Sequence, residues 1–152
     1  MASERIPPPR WLKPMNKIFI AMLRLGLPMS RKESPVVLTV PGRRSGKPRS
    51  TPVTPMHVDG QRYVVNGYPG ADWVRNVRAA EAATLTQGRR IENVRMVELE
   101  PERARPVLRK FPAMAPTGVD LMKRAGVLTE GTPDELEGLA GRLAVFRIEA
   151  IT

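Results

Sequence analysis

A chain of 152 residues has the length of one domain and can bury a core of its own. It holds no cysteine and one histidine, which excludes disulfides, a cysteine nucleophile and thiolate or multi-histidine metal sites, so no metal is expected. The net charge of +10 sits in the front third: residues 1–50 carry eleven Lys/Arg against two Glu, and residues 51–152 carry fourteen against thirteen Asp/Glu. Basicity so placed suits nucleic acid, an anionic membrane surface or an acidic small molecule.

Residues 1–34 read as a basic lead-in and one amphipathic helix, ahead of a single domain over 35–152. Pro7-Pro8-Pro9 and Pro14 make the first part extended. From Met15 to Leu27, Ile18, Phe19, Met22 and Leu23 share a face at helical spacing, and Gly26 and Pro28 end the segment. That face can pack on the domain or lie on an anionic membrane surface beside Lys17 and Arg24. No run reaches the roughly 18 apolar residues of a membrane span, and no signal peptide is expected.

Residues 35–40 form an apolar first strand, followed by a basic connection, Gly42-Arg43-Arg44-Ser45-Gly46-Lys47-Pro48-Arg49. Residues 51–58 read as one extended run whose Pro52 and Pro55 suggest an edge or a bulge. Asp59-Gly60 is a hairpin turn leading into a strand over 62–66, and Gly67-Tyr68-Pro69-Gly70 is a tight loop. A short helix over 72–80 should turn Trp73, Val77 and Ala80 to one side. Strands over 83–87 and 91–99 follow, with Val94 and Met96 inward. A helix from Pro101 to about Phe111 comes next, then mixed structure over 112–131 with a helix near 119–125. Thr132-Pro133-Asp134-Glu135 is a capping box. Residues 143–151 alternate as a last strand, with Val145, Arg147 and Glu149 opposite Phe146, Ile148 and Ala150. Six strands, mostly hairpin-connected, with inserted helices give an α+β class: mainly antiparallel β in a small barrel with peripheral helices.

Two stretches can carry chemistry. The basic loop brings four cations, a hydroxyl and backbone N–H groups into one connection, a composition able to grip an anion. Its glycine spacing is neither that of a P-loop nor that of a Rossmann turn. A solvated basic hairpin would share this composition. In the second stretch, residues 67–76, the glycine-bearing turn lets a flat ring approach the backbone. Trp73 and Asn76 lie on nearly one side of the helix, whose N-terminus suits phosphate. A core Trp73 with a surface Asn76 is the plainer alternative. His57 beside the Asp59-Gly60 turn is expected to be structural or exposed, and Glu98, Glu100 and Glu102 to be solvated. Met114 and Met122 fill core or line a pocket. No acid–base or nucleophile set emerges, so catalysis would rely on a cofactor's reactive atom.

Leu38-Thr39-Val40-Pro41-Gly42-Arg43-Arg44-Ser45-Gly46-Lys47-Pro48-Arg49 and the later Asp72-Trp73-Val74-Arg75-Asn76 resemble the two signature blocks of the deazaflavin-dependent nitroreductases of actinobacteria, which include quinone reductases. The resemblance covers about residues 36–100. It implies an FMN-binding-like split β-barrel that binds coenzyme F420, a deazaflavin with a phosphodiester and an oligoglutamate tail. By resemblance, Arg43, Arg44, Ser45 and Arg49, with Gly46 and Lys47 in the same loop, would hold phosphate and glutamates. Thr51, Pro52 and Val53, and the turn Asn66-Gly67-Tyr68, would border the ring, and Trp73 and Asn76 would complete the phosphate end.

The implied activity is hydride transfer from the reduced cofactor to a small apolar, electron-poor acceptor: a quinone, a nitro compound or an activated alkene. The tyrosine-bearing substrate wall of quinone-reducing members has no match, since residues 100–152 contain no tyrosine, and residues 112–131 are expected to replace it. An FMN-binding barrel oxidoreductase and a non-enzymatic nucleic-acid or membrane-surface binder are the rivals. The aromatic residues form no stacking series with the basic ones, so no nucleic acid is expected. A homodimer is left open, and the location implied is cytoplasmic or peripheral at the inner face of the plasma membrane.

Overall fold

The computed structural model describes residues 35–151, together with Ile20. The expected helix over 15–27 and the lead-in therefore lie outside the described residues, Ile20 apart. Seven strands form one antiparallel sheet: β1 (Val36–Pro41), β2 (Pro48–Val53), β3 (Met56–Val58), β4 (Gln61–Val65), β5 (Ala82–Gln87), β6 (Arg90–Glu98) and β7 (Val145–Ala150). Their order across the sheet is β2-β1-β5-β6-β7-β4-β3. Over residues 35–151 four helices accompany them: α1 (Asp72–Ala80), α2 (Pro101–Met114), α3 (Pro116–Arg124) and α4 (Pro133–Glu137).

The sheet has one strand more than expected because the run over 51–58 is two strands. β2 stops at Val53, and β3 restarts at Met56 on the far edge of the sheet. Proline has no N–H for a ladder, so Pro48 and Pro52 fit an edge strand, and the chain leaves the sheet at Thr54-Pro55. Asp59 and Gly60, with φ of 50° and 78°, make the expected tight turn between β3 and β4.

Period-2 alternation sorts side chains between two cores. Val36, Leu38 and Val40 of β1 point into the curled sheet, where Val94, Met96, Phe146 and Ile148 meet Val74 and Val77 of α1. On the opposite face, Met56 and Val145 pack under α2, α3 and α4 against Leu108, Phe111 and Leu136. Consecutive Val145 and Phe146 are therefore both buried, because β7 is covered on both sides. The buried side of α1 is Val74, Asn76 and Val77, whereas Ala80 stays partly exposed, a rotation from the expected face.

Helix α2 runs on through Pro112 to Met114, past its expected end near Phe111. Ala104, Val107, Leu108 and Phe111 seat it on the outer core, which offsets the hydrogen bond that proline removes. Helix α3 starts earlier than expected, with Pro116 in its first turn. Thr132 Oγ1 caps α4 by accepting from the Glu135 N–H at 3.2 Å. The Glu135 carboxylate does not complete a capping box. It accepts instead from the N–H groups of Thr129, Glu130 and Gly131 at 2.8, 3.0 and 2.6 Å. These bonds hold its carboxyl below the usual range and fix the loop that leads out of α3.

Candidate cofactor site

The basic loop is a closed turn at one end of β1 and β2. Gly42 N–H donates to Lys47 O and Gly46 N–H to Gly42 O, both at 2.8 Å. Gly46 has φ +72°, a conformation that glycine adopts freely. Gly42 is buried, and a Cβ there would lie 3.1 Å from Ser45 Oγ and 3.3 Å from Lys47 O. Ser45 Oγ accepts from the Lys47 N–H at 3.2 Å, so its lone pairs serve loop closure while its O–H can still donate.

The two sequence blocks, 33 residues apart, meet in space. The Arg43 backbone N–H and its Nη1 both donate to Asn76 Oδ1, at 3.1 and 2.9 Å. Nη2 of the same guanidinium lies 3.5 Å from Asp72 Oδ1. Asn76 is buried at 6% exposure, so the plainer alternative of a surface asparagine does not hold. Arg44, Lys47 and Arg49 are exposed, and no side chain among the described residues pairs with them. The first turn of α1 lies beside this loop, and Ala71 gives it no side-chain cap.

Thr51, Pro52 and Val53 lie on edge strand β2, and Val53 is buried in the inner core. Asn66 is fully buried and folds the next turn on itself: Nδ2 donates to Tyr68 O at 2.5 Å, and Oδ1 accepts from Tyr68 N–H at 3.1 Å. Its amide is thus spent on shaping the turn. Gly67 lies under Met122 of α3, whose Cγ would be 3.3 Å from an added Cβ. The expected wall, residues 112–131, thereby reaches the expected ring-bordering turn. The Tyr68 hydroxyl is buried and has no partner among the described residues, and burial pushes its pKa up. The Trp73 ring packs at 5.8 Å from Phe146, tilted by 50°, so it anchors α1 to the inner core.

Other groups fall outside this cluster. His57 is exposed, as expected. Glu98 is no free solvated charge: Arg78 grips it with two bonds of 2.7 and 2.6 Å. Arg62 and Glu92 form a two-bond pair at 2.8 and 2.7 Å inside the curled sheet, which lowers the Glu92 pKa. This pair, His57 and Arg90 line a cleft of about 220 Å³ at the Val36 end of β1, away from the basic loop. The pair joins positions 30 apart, and no spacing rule reveals it. Met122 is core, whereas Met114 only borders the outer core. Among the described residues no group of three or more His, Cys, Asp or Glu could hold a metal ion, and no helix is long and apolar enough to cross a membrane.

Three cations without a partner among the described residues, beside a helix start with no side-chain cap, fit a polyanionic tail, and the buried Tyr68 hydroxyl, also without a partner among them, fits a ring edge. Comparisons with known proteins bear on the same point. Among solved structures, a domain-swapped dimer is similar over 91% of this chain and 97% of its own, at 22% identity and a TM-score of 0.53. A protein from Listeria innocua described as a pyridoxamine 5′-phosphate oxidase is similar over 91% and 94%, at 14% identity and 0.50. An F420-H2 dependent reductase is similar over 76% and 93%, at 23% identity and 0.41. The fold is a split β-barrel. No curated protein matches the chain. The family model of the F420H(2)-dependent quinone reductases matches residues 22–124, which include both signature blocks, and the chain belongs to that family of F420-dependent oxidoreductases.

Proposed function

We propose that this protein uses reduced F420 to reduce a small apolar, electron-poor acceptor: a quinone, a nitro compound or an activated alkene. The bound cofactor supplies the hydride. The chain supplies binding, orientation and exclusion of water. Arg44, Lys47 and Arg49 offer charge-assisted contacts to phosphate and glutamate carboxylates, and the Ser45 O–H and Asn76 amide nitrogen add neutral donors. Thr51, Pro52, Val53 and the turn at Gly67 and Tyr68 border the ring. Helix α3, seated on the Gly67 turn through the buried Met122, forms the acceptor's wall, in place of the tyrosines of quinone-reducing members.

The observation that carries this reading is the cluster of exposed, unpaired cations fixed beside helix α1. Titration of F420 fluorescence with the protein tests it. Arg49→Ala is expected to weaken binding by about 1–3 kcal/mol, the loss of a contact to a charged group. Unchanged affinity defeats the assignment, and preferential binding of FMN turns the reading to a flavin barrel. We further propose that the protein forms a homodimer and touches anionic membranes through residues 15–27. Light scattering tests the first. Liposome sedimentation before and after deletion of residues 1–28 tests the second.

A further inference from the structure

Of the four cations in the basic loop, Arg43 differs from the rest. Its backbone N–H and its Nη1 are both committed to Asn76 Oδ1, and Nη2 faces the Asp72 carboxylate at 3.5 Å. Its side chain is 24% exposed, whereas Asp72 is 59% exposed. The Asn76 bond and the facing Asp72 carboxylate hold this guanidinium in one orientation against α1 and offset part of its charge before any anion arrives. Among the described residues it is also the one that ties the loop to α1 by both main chain and side chain. Without that tie, the segment between Gly42 and Lys47 is held only by its own turn bonds.

We propose that Arg43 is a positioning residue. It latches the cationic loop to helix α1 through Asn76, so that Arg44 and Lys47 stand preorganised for the anionic tail beside Arg49, which strand β2 already holds opposite Val40. This rests on the functional reading above and reassigns Arg43 within it. The loop is ordered before the ligand arrives, and binding then costs less conformational entropy. The Asn76 amide fits this role because it is buried and presents its oxygen to two donors on one residue.

Amide hydrogen exchange in the free protein reads the latch directly. The Arg43 amide is expected to be protected, and Asn76→Ala to speed its exchange at least about tenfold while the Leu38 amide in β1 keeps its rate. Should Asn76→Ala misfold, Asn76→Asp keeps the acceptor and should keep the Arg43 amide protected. Cofactor titration reads the consequence. Arg43→Ala is expected to raise the F420 Kd about tenfold, Asn76→Ala by at least as much because it also removes a donor, and the double variant no further than Asn76→Ala alone. Higher cofactor concentration should restore turnover, a KM effect, and Arg49→Ala should multiply with either change. An unprotected Arg43 amide, loss of protection in Asn76→Asp, or a double variant reaching the product of the single effects overturns the latch. A protected Arg43 amide in a wild-type protein that does not bind F420 leaves the latch standing and overturns the functional reading.

Discussion

Replacing Tyr68 with Phe removes one oxygen and nothing else. That oxygen is buried and makes no hydrogen bond to any of the described residues. A buried polar group left unsatisfied costs about 1–3 kcal/mol, set by the water it has lost. The ring is only partly buried and stays in place, so no cavity opens against that gain. Tyr68→Phe is therefore expected to stabilise the free protein by about 1 kcal/mol, the low end of that range. In a chain of this size that corresponds to about 2–4 °C in Tm. Urea unfolding should show a higher midpoint at unchanged slope. On the proposed function the ligand supplies the hydroxyl's partner, and the same substitution should then weaken F420 or acceptor binding. The pH dependence has a fixed sign: burial raises the phenol pKa, so the neutral form is favoured in the fold. Stability from this group is complete below the unfolded value near 10 and is lost as pH rises through the folded value. Destabilisation by Phe would show that the hydroxyl is satisfied in the free protein. Stabilisation with unchanged binding of both ligands would remove Tyr68 from the site.

Three further results are expected. Glu92 has its pKa lowered chiefly by the hydrogen bonds from Arg62, so its contribution is complete above the unfolded value of 4.5 and is lost as pH falls through the folded one. The partners are 28% and 34% exposed, which limits the coupling to about 1 kcal/mol; Glu92→Gln should flatten the acid limb of a stability–pH curve, and an unchanged limb would count against the pair. Gly131→Ala forces a φ of +76° on alanine and drives its Cβ to 2.5 Å from Val119 Cγ1. Backbone strain and overpacking together should cost about 2–4 kcal/mol in urea unfolding. Met122→Ala should change the KM for acceptors of different size more than the F420 Kd, read by steady-state kinetics with a small and a bulky quinone.

Features set by neighbouring residues were legible in the sequence. The Asp59-Gly60 turn, the Thr132 cap and the span of α1 each depend on positions within one turn of each other. The run over 51–58 was misread as one strand because its composition is extended throughout. Only the pairing of each half, Val53 with Val36 on one edge and Met56 with Tyr63 on the other, shows that the sheet divides it. The ends of α2 and α3 were displaced for a similar reason. Proline marks a local cost, while burial of Phe111 and Met122 is a tertiary gain that local rules do not register.

The site divides along the same line. Composition showed where the cations are, but not which of them are spoken for. Arg62, Arg78 and Arg147 each meet a glutamate, and Arg109 meets both Asp134 and Glu137. The fold thus pairs arginines where it brings acids to them. Among the described residues it brings one acid to the 42–49 loop, Asp72, and that acid faces Arg43. Three cations within six positions repel one another and gain nothing from the described chain. Such a cluster is stable only because it is exposed to water, and it becomes favourable when an external polyanion replaces that water. Substituting all three by glutamine should therefore leave the free protein at least as stable as before, as measured by urea unfolding, while abolishing F420 binding. A marked loss of stability would mean that the cations serve the fold.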